Sequence, residues 1–301
     1  MIAGSLGLYG CAMIYYYLSS RENDPVLNRP RFMLFNKQEQ NQIGKSITYA
    51  LLLQYHDRLL PMDDPLYKRL QRVVTKLLVA NQEVFMKIPN WGITIIDAPI
   101  NNAMAMPNGN IFIYSGLFNA CQNDDQLAFI LGHEMSHVLL LHSYELFSYM
   151  FFKQVLHLLP TFLIWTIFPK FTAFLYYIAS HVFFNVAFLF PYKRNMESEA
   201  DDMGLQFSMK ACYDAREIIV YWKMMDKLSI LTGERLYRIP WLIDHPDHNR
   251  RAMTLTRRLP NALNIRELQD CPALPSRDPR EIFNKMSMKD LAIYFKNKGL
   301  M

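Results

Sequence analysis

The residues best suited to chemistry are two histidines with a glutamate between them, in the segment His133-Glu134-Met135-Ser136-His137. Residues four apart lie one helical turn apart on one face, so His133 and His137 can direct ring nitrogens at one tetrahedral zinc ion. Glu134 lies about 100° around the helix, where it can reach water at that ion as a general base. The flanking residues are apolar, and burying this polar set among them without a partner would be costly, so a metal site is favoured.

Such a site needs a third protein ligand and an open position for water. The pattern that places a glycine and a histidine after the second histidine is excluded, because Leu140 and Ser143 occupy those positions. His142 is five residues past His137 and therefore lies on a different face. We interpret His142 as a structural residue or as a support for a ligand.

The better candidates for the third ligand are carboxylates in a later helical stretch. Glu197 and Asp201 are four residues apart and share a helix face. One can bind the ion while the other accepts a hydrogen bond from the second nitrogen of a ligating histidine. The shared face favours Glu197 as the ligand and Asp201 as the acceptor. Glu199 points elsewhere and is predicted to be a solvated surface charge.

Helices and a few strands must position these residues. The metal-binding helix is predicted to begin at Asp124, where an acidic first turn suits its positive end. Apolar residues at three- and four-residue steps between Leu66 and Leu77 predict an amphipathic helix. Short β-branched or aromatic runs at residues 91–97 and 111–114 predict strands. The predicted fold class is α+β, mainly helical, with a small sheet and a long metal-binding helix.

Two apolar stretches indicate contact with a membrane. Residues 1–20 carry no charge and can span about 30 Å of hydrocarbon as a helix, which predicts an N-terminal anchor; a buried helix or a truncated targeting segment is the alternative. Residues 154–192 carry one charge, Lys170. They form either a spanning hairpin that turns at Lys170, or a hairpin that lies in the interface or packs on the domain. We favour the second, because the first arm is short and three prolines interrupt the stretch.

The composition excludes several classes of protein. The chain has 301 residues, of which 51% are hydrophobic and 20% charged, so a disordered chain, a collagen or a small disulfide scaffold is excluded. The net charge of +5 is modest and its basic residues are scattered, which argues against nucleic acid and favours weak attraction to an anionic membrane. Four cysteines without a Cys-x-x-Cys pair exclude a zinc ribbon and a thioredoxin-like site.

The spacing of these motifs resembles a known family. The segment His133-Glu134-x-x-His137, followed by Glu197-x-Glu199-Ala200-Asp201-x-x-Gly204, resembles the membrane-associated zinc endopeptidases that include the CaaX prenyl protease and the bacterial heat-shock membrane protease. Further elements are similar to the Oma-type group of the mitochondrial inner membrane. They are Arg31-Phe32-Met33-Leu34-Phe35, Ala211-Cys212, His245-Pro246-Asp247-His248, Cys271-Pro272 and Asp278-Pro279-Arg280. The resemblance covers residues 31–285.

The resemblance implies a role for each matching residue. His133, His137 and Glu197 would bind one Zn²⁺ per chain, and Glu134 would be the general base. The strand that contains Ile111, Phe112 and Ile113 would pair with an extended segment of a protein substrate. His245 would steady the oxyanion beside the cleft, or lie outside it in a capped turn. Arg250 would pair with Asp201 or Glu199, or be a plain surface arginine.

The resemblance also implies an organisation and a location. The chain would comprise an anchor (residues 1–20), a linker (21–36), a zinc metalloprotease domain (37–260, with the apolar insert 154–192) and a C-terminal tail (261–301). The domain would face the intermembrane space, although the arginines after the anchor argue for the opposite side. A disulfide between Cys212 and Cys271 is predicted if that space is oxidising, with two free thiols as the alternative.

The expected function is a zinc endopeptidase of the mitochondrial inner membrane that cleaves membrane-tethered or misfolded proteins in quality control. The expected partners are protein substrates and the lipid membrane, and a homo-oligomer stays open. One alternative is a multi-span prenyl-protein or quality-control protease of another membrane. A second is a non-catalytic scaffold with structural zinc, in which protein ligands would fill all four positions.

Overall fold

The computed structural model describes residues 2–86, 88, 91–233 and 247–301. Helices dominate and are accompanied by one two-stranded and one three-stranded sheet, which confirms the predicted α+β, mainly helical class. The described α-helices are α1 Ile2–Ser19, α2 Lys37–Gln54, α3 Pro65–Ala80, α4 Gln82–Phe85, α5 Gly116–Ala120, α6 Asp124–Leu139, α7 His142–Ile167, α8 Lys170–Phe184, α9 Phe190–Lys210, α10 Ala215–Leu231, α11 His248–Glu267, α12 Pro279–Asn284 and α13 Met288–Asn297. The strands are β1 Arg21–Asn23, β2 Pro30–Phe32, β3 Gly92–Ile96, β4 Ala103–Ala105 and β5 Asn110–Tyr114.

The metal-binding helix α6 begins where the sequence indicates. The Asn123 side chain accepts a hydrogen bond from the Gln126 N–H at 3.0 Å and caps the helix, and Asp124 and Asp125 lie in its first turn. Most of α6 is buried, since it packs on α3, α9 and α10. The amphipathic helix expected between Leu66 and Leu77 is α3, which buries that apolar face in the same core.

The three-stranded sheet corrects the prediction for substrate pairing. Its order is β3-β5-β4, with β5 parallel to β3 and antiparallel to β4. Ile111, Phe112 and Ile113 therefore lie in the central strand, and their side chains are fully buried. Because both edges of β5 are already hydrogen-bonded to neighbouring strands, these residues cannot pair with a substrate. The edge strands are β4 and β3, and β3 is bridged to Leu59 at Ile96.

Residues 21–36 are more ordered than the predicted polar linker. Strands β1 and β2 pair antiparallel, and the Asp24 carboxylate accepts hydrogen bonds from two N–H groups of the connecting loop, those of Val26 and Leu27. Arg31 is buried and pairs with Asp24 at 2.6 Å, while its guanidinium also donates to the carbonyl of Leu140 at the end of α6. The polar composition is misleading here, because these charges neutralise one another inside the protein.

The apolar stretch forms a hairpin whose arms are longer than the sequence indicates. The first arm is α7, which is 26 residues long and continues through Pro160. The second is a continuous helix, Lys170–Lys210, that includes α8, a π-helical turn at Asn185–Leu189 and α9. Both are long and apolar enough to cross a membrane, and only 11% of each apolar window is buried within the protein. The arms therefore do not pack on the domain, which was one of the arrangements expected for a non-spanning hairpin. The argument that the first arm is short is wrong, because α7 extends it to 26 residues.

Helix α1 lies beside this hairpin. The Tyr9 hydroxyl donates to the carbonyl of Val155 on α7. Farther along, the Tyr17 ring stacks on Phe32 of β2 at 5.0 Å and contacts Phe152 of α7 at 5.5 Å between ring centroids. The predicted N-terminal anchor is thus a helix in contact with the apolar hairpin, and its insertion in a membrane stays a prediction.

The C-terminal residues wrap on the domain. The predicted boundary between residues 260 and 261 falls inside α11, and α12 and α13 pack on α10 through the buried side chains of Phe283, Leu291 and Phe295. Cys212 and Cys271 form a disulfide that joins the end of α9 to the segment after α11. Cys11 and Cys121 are free thiols.

Removing this disulfide should destabilise the protein. It joins residues that are 59 apart, and constraining a loop of that length is worth about 4 kcal/mol in the chain-entropy model. The double variant Cys212→Ser/Cys271→Ser should therefore lose about that much free energy of unfolding in denaturant titrations, whereas Cys11→Ser, which removes an exposed free thiol, should lose little. Equal stability of the oxidised wild type and the double variant would contradict the expectation.

Candidate metal centre

Three side chains converge at the contact between α6 and α9. The Nε2 atoms of His133 and His137 lie 3.2 Å apart. The carboxylate oxygens of Glu197 lie 3.5 Å from the former and 3.6 Å from the latter. All three residues are largely enclosed, and together they form a group that could hold a metal ion.

This group fits zinc in both chemistry and size. Two imidazole nitrogens and a carboxylate oxygen are ligands that zinc takes in catalytic sites. With bonds of about 2.0–2.1 Å, a tetrahedral ion separates its ligand atoms by about 3.3–3.4 Å. The two Nε2 atoms lie 3.2 Å apart, and Oε2 and Oε1 of Glu197 lie 3.5 Å from His133 and 3.6 Å from His137, which are all close to that value. Among the described residues, these three are the group of histidine, cysteine, aspartate or glutamate side chains whose ligand atoms all lie within 4.8 Å of one another.

Close contact between two glycines allows the ligands to meet. Gly132 of α6 and Gly204 of α9 face each other, so the two helices approach backbone to backbone. A Cβ atom on Gly204 would lie 2.7 Å from the nitrogen and 3.0 Å from the Cα of His133, closer than real side chains come. The absence of a side chain at Gly204 therefore sets the distance between the ligand-bearing helices.

The variant Gly204→Ala should separate these helices and weaken the site. Overpacking of this kind costs about 1–3 kcal/mol, and because moving α9 away from α6 relieves it, we expect zinc affinity to fall about tenfold. Chelator competition on the purified chain measures this affinity. Gly7→Ala is the matched control, because a Cβ there meets nothing within 4 Å. An unchanged zinc affinity in Gly204→Ala would show that the helices absorb the methyl group elsewhere.

The Asp201 carboxylate lies next to His133, and an unexpected arginine supports that carboxylate. The Asp201 Oδ1 atom lies 3.1 Å from Nδ1 of His133, which leaves Nε2 directed at the site. Arg251 of α11 donates to both carboxylate oxygens of Asp201 and stacks over the Trp222 ring at 3.7 Å. Arg250, which was expected either to pair with Asp201 or Glu199 or to be a plain surface arginine, is exposed. No spacing rule relates α11 to α9, so the choice between adjacent arginines depends on the orientation of α11.

The other histidine has a different environment. Nδ1 of His142 lies 2.9 Å from Nδ1 of His137, and Nε2 of His142 lies 3.1 Å from Oε2 of Glu199. His142 thus contacts His137, one of the three candidate ligands, directly, which agrees with the supporting role considered for it. Glu199 is not a solvated surface charge, because it bonds both His142 and Arg29. The prediction for Glu199 was wrong because it considered only the helix face on which Glu199 lies. It did not consider the segment between α1 and α2, whose Arg29 contacts Glu199.

Burial and neighbouring charges set the protonation of the site. Burial lowers the pKa of His137 well below its usual value, which favours the neutral imidazole that binds metals. Burial also lowers the pKa of His133, but hydrogen bonds to Asp201 and Glu197 outweigh it and raise that pKa to about 9. The Asp201 and Glu197 carboxylates that raise this pKa also attract a divalent cation.

Glu134 lies beside the three candidate ligands and at the edge of the sheet. Its Oε2 accepts a hydrogen bond from the N–H of Ala105 in β4 at 3.0 Å. Burial raises the pKa of Glu134 to about 7, which suits a group that must both take and return a proton near neutral pH. A cleft of about 940 Å³ opens in front of it, lined by residues of β4, α6, α10 and α11. His245 lies outside the described residues, whereas His248 lines the cleft.

Comparison with known proteins agrees with this geometry. Residues 66–259 match the model of peptidase family M48. The chain is 34% identical to the mitochondrial metalloendopeptidase OMA1 of Danio rerio and 32% identical to that of Homo sapiens, in each case over 94% of this chain and 59% or 54% of the relative. It is 27% identical to the mitochondrial metalloendopeptidase OMA1 of Saccharomyces cerevisiae over 88% of this chain and 76% of that protein. The chain spans a little more than half the length of the vertebrate relatives. Because the matched region includes both histidines, Glu134 and Glu197 in the arrangement described above, the chain belongs to peptidase family M48.

Proposed function

We propose that this chain is a zinc metalloendopeptidase of the mitochondrion that cleaves extended segments of proteins beside the inner membrane. The observation that carries the proposal is the convergence of His133, His137 and Glu197 on one point of an open cleft, with the Glu134 carboxylate beside it. Three protein ligands leave a position for water, as in catalytic zinc sites, whereas structural sites are closed by four.

The chain's own residues would divide the reaction among them. His133, His137 and Glu197 would hold zinc, which when bound supplies a Lewis acid that polarises the scissile carbonyl and acidifies water. Glu134 would take a proton from the attacking water and return it to the leaving amine. Its hydrogen bond from Ala105 fixes the carboxylate between the cleft and β4. Asp201 would keep His133 in the tautomer that binds through Nε2.

The free edge of β4 would bind the substrate in place of the central strand β5. The cleft is lined by residues 101–105 on one side and by Glu134 and the three candidate ligands on another. An extended peptide that adds to this edge would form main-chain hydrogen bonds with β4 and pass in front of the metal ligands. This mode of binding requires an unfolded or exposed segment, so misfolded and membrane-tethered proteins are the proposed substrates.

The apolar hairpin would place the cleft beside a lipid bilayer. Large apolar side chains are exposed along both arms, as far as Phe188 on the second. Glu197 follows on the same helix nine residues later, which is about 14 Å at 1.5 Å per residue. The relatives named above are mitochondrial, and the disulfide Cys212–Cys271 suits an oxidising compartment such as the intermembrane space. We therefore propose that the protein lies in the inner membrane and that its cleft faces the intermembrane space.

Chelation and reconstitution test the proposal. The detergent-purified chain should contain about one zinc ion and cleave an unfolded reporter protein. A chelator should remove both the zinc and the cleavage, and added Zn²⁺ should restore both in parallel. Peptide products sequenced by mass spectrometry should show internal cuts, as an endopeptidase makes. Cleavage that persists in the zinc-free chain would overturn the proposal, as would zinc-loaded protein that cuts no unfolded substrate.

A further inference from the structure

His137 cannot contact a carboxylate through its second ring nitrogen in the way that His133 does. Nδ1 of His133 lies next to Asp201, but Nδ1 of His137 lies next to Nδ1 of another histidine, His142. A hydrogen bond between two imidazole nitrogens needs a proton on one of them and a lone pair on the other. The direction of that bond decides which nitrogen of His137 is free to bind a metal.

Glu199 determines this direction. A carboxylate accepts hydrogen bonds, so at 3.1 Å it requires the proton of neutral His142 to be on Nε2. Nδ1 of His142 then has a lone pair and accepts from Nδ1–H of His137 at 2.9 Å. As a result, Nε2 of His137 has a lone pair, and this is the atom that faces Nε2 of His133 and the Glu197 carboxylate.

Arg29, in the loop between β1 and β2, holds Glu199 in place. Its guanidinium donates to Oε2 of Glu199 at 2.8 Å and pairs with both oxygens of Glu145 at 2.8 and 2.9 Å. Glu145 is fully buried, and it also accepts a hydrogen bond from the Tyr192 hydroxyl. Since Glu145 lies in the first turn of α7 and Tyr192 near the start of α9, Arg29 joins both arms of the apolar hairpin to the carboxylate that orients His142.

The loop that carries Arg29 is itself fastened to the metal-binding helix. Asp24 closes the loop by bonding the N–H groups of Val26 and Leu27, and its own N–H donates to the carbonyl of Arg29 at 2.8 Å. Arg31 adds a hydrogen bond to Leu140, three residues beyond His137. The segment between α1 and α2 therefore contacts the end of α6 through Arg31 and contacts Glu199 of α9 through Arg29.

We propose that Arg29, Glu199 and His142 form a positioning relay that fixes the tautomer and ring orientation of His137, so that the segment between α1 and α2 is part of the metal centre. The inference rests on the proposed zinc site. His133 is oriented by one carboxylate directly, whereas His137 is oriented by a carboxylate acting through a second histidine. These three are positioning residues, and partners of this kind contribute about 10–100-fold to metal affinity.

A pair of variants at His142 tests the relay. In His142→Asn, the side-chain amide oxygen can stand close to the position of Nδ1 and accept from His137, whereas His142→Leu removes the acceptor and fills the buried space with apolar atoms. We expect His142→Leu to bind zinc about 10–100-fold more weakly and His142→Asn to bind within about threefold of the wild type. Zinc affinity by chelator competition and the visible spectrum of the Co²⁺-loaded chain measure binding and ligand geometry without reference to cleavage.

Variants at Arg29 extend the test to the N-terminal segment. Arg29→Gln should weaken zinc binding about tenfold and lower kcat more than it raises KM, because Arg29 is not among the residues that line the cleft. Arg280→Gln is the matched control, since Arg280 forms an equivalent fork to Asp278 with no contact to a metal ligand. Unfolding of the zinc-free variants reports their folding separately.

Two results would overturn the relay. One is wild-type zinc affinity in His142→Leu. The other is equal loss of affinity in His142→Asn and His142→Leu, matched by equal loss of stability in the zinc-free state, which would make His142 a packing residue. Failure of the proposed function is distinguishable, because it would show as wild-type protein that binds zinc and does not cleave.

Discussion

The variant Glu134→Gln should lose cleavage of an unfolded reporter by about 10³-fold or more while it retains zinc. Proton transfer by a positioned carboxylate contributes about 10²–10⁴-fold to a reaction of this kind, and an amide cannot take up the proton. Glutamine keeps an oxygen that can accept the hydrogen bond from Ala105, so β4 has no reason to move. Glu134 is also not one of the three converging ligands, so the metal content should stay at the wild-type value.

The measurement compares turnover and zinc content in the same preparations. Glu83→Gln serves as the control, because it neutralises an exposed carboxylate paired with Lys210 on the surface. Equal turnover in Glu134→Gln and wild type would mean that the cleavage comes from another protease. Loss of zinc together with loss of turnover would mean that Glu134 is needed for metal binding, and the role of general base would have to be withdrawn.

The variant Arg251→Met should destabilise the zinc-free protein by about 3–5 kcal/mol. Arg251 is buried and donates to both oxygens of Asp201, which is itself only 4% exposed. Removing Arg251 leaves the buried Asp201 carboxylate with the contact to His133 but without its two-pronged partner, and we expect the cost of a broken buried pair. The stacking of the guanidinium on Trp222 at 3.7 Å would be lost as well.

The neighbouring residue provides a matched control. Arg250 is exposed, so Arg250→Met should change the free energy of unfolding by less than about 0.5 kcal/mol. The double variant Asp201→Asn/Arg251→Met should recover part of the stability lost in Arg251→Met, because it removes the uncompensated charge. Denaturant unfolding of the chelator-treated proteins measures all four. Similar stabilities of the two single arginine variants would show that the Asp201–Arg251 pair contributes little.

The structure also separates local from long-range information at the metal centre. The four-residue spacing between His133 and His137, and between Glu197 and Asp201, is a property of any α-helix, so their shared faces could be predicted from the sequence. The apolar residues that flank the two histidines and Glu134 indicated that these side chains are buried, and the cost of burying them without a partner indicated a metal. The acidic first turn located the start of α6 for the same reason, because the interaction of these carboxylates with the helix dipole depends on neighbours in sequence.

Other features depend on which elements pack together. The identity of the central strand depends on pairing between segments, and alternation of side chains along β5 is the same at an edge and in the middle of a sheet. That is why Ile111 to Ile113 were assigned to substrate binding when β4 has the free edge. The prolines in the apolar stretch were similarly taken as interruptions that argue against a spanning hairpin, whereas Pro160 is accommodated within the continuous helix α7.

The sequence by itself determined the candidate ligands, the candidate general base and the mainly helical class, because each of these follows from helical periodicity and side-chain chemistry within a few residues. Only the tertiary structure decided that Arg251 and not Arg250 supports Asp201, that Glu199 is engaged by Arg29, and that His142 contacts His137. These partners are between 5 and 170 residues apart in sequence. No local pattern encodes such contacts, since they arise when separate hydrophobic faces pack and bring buried charges within hydrogen-bonding distance.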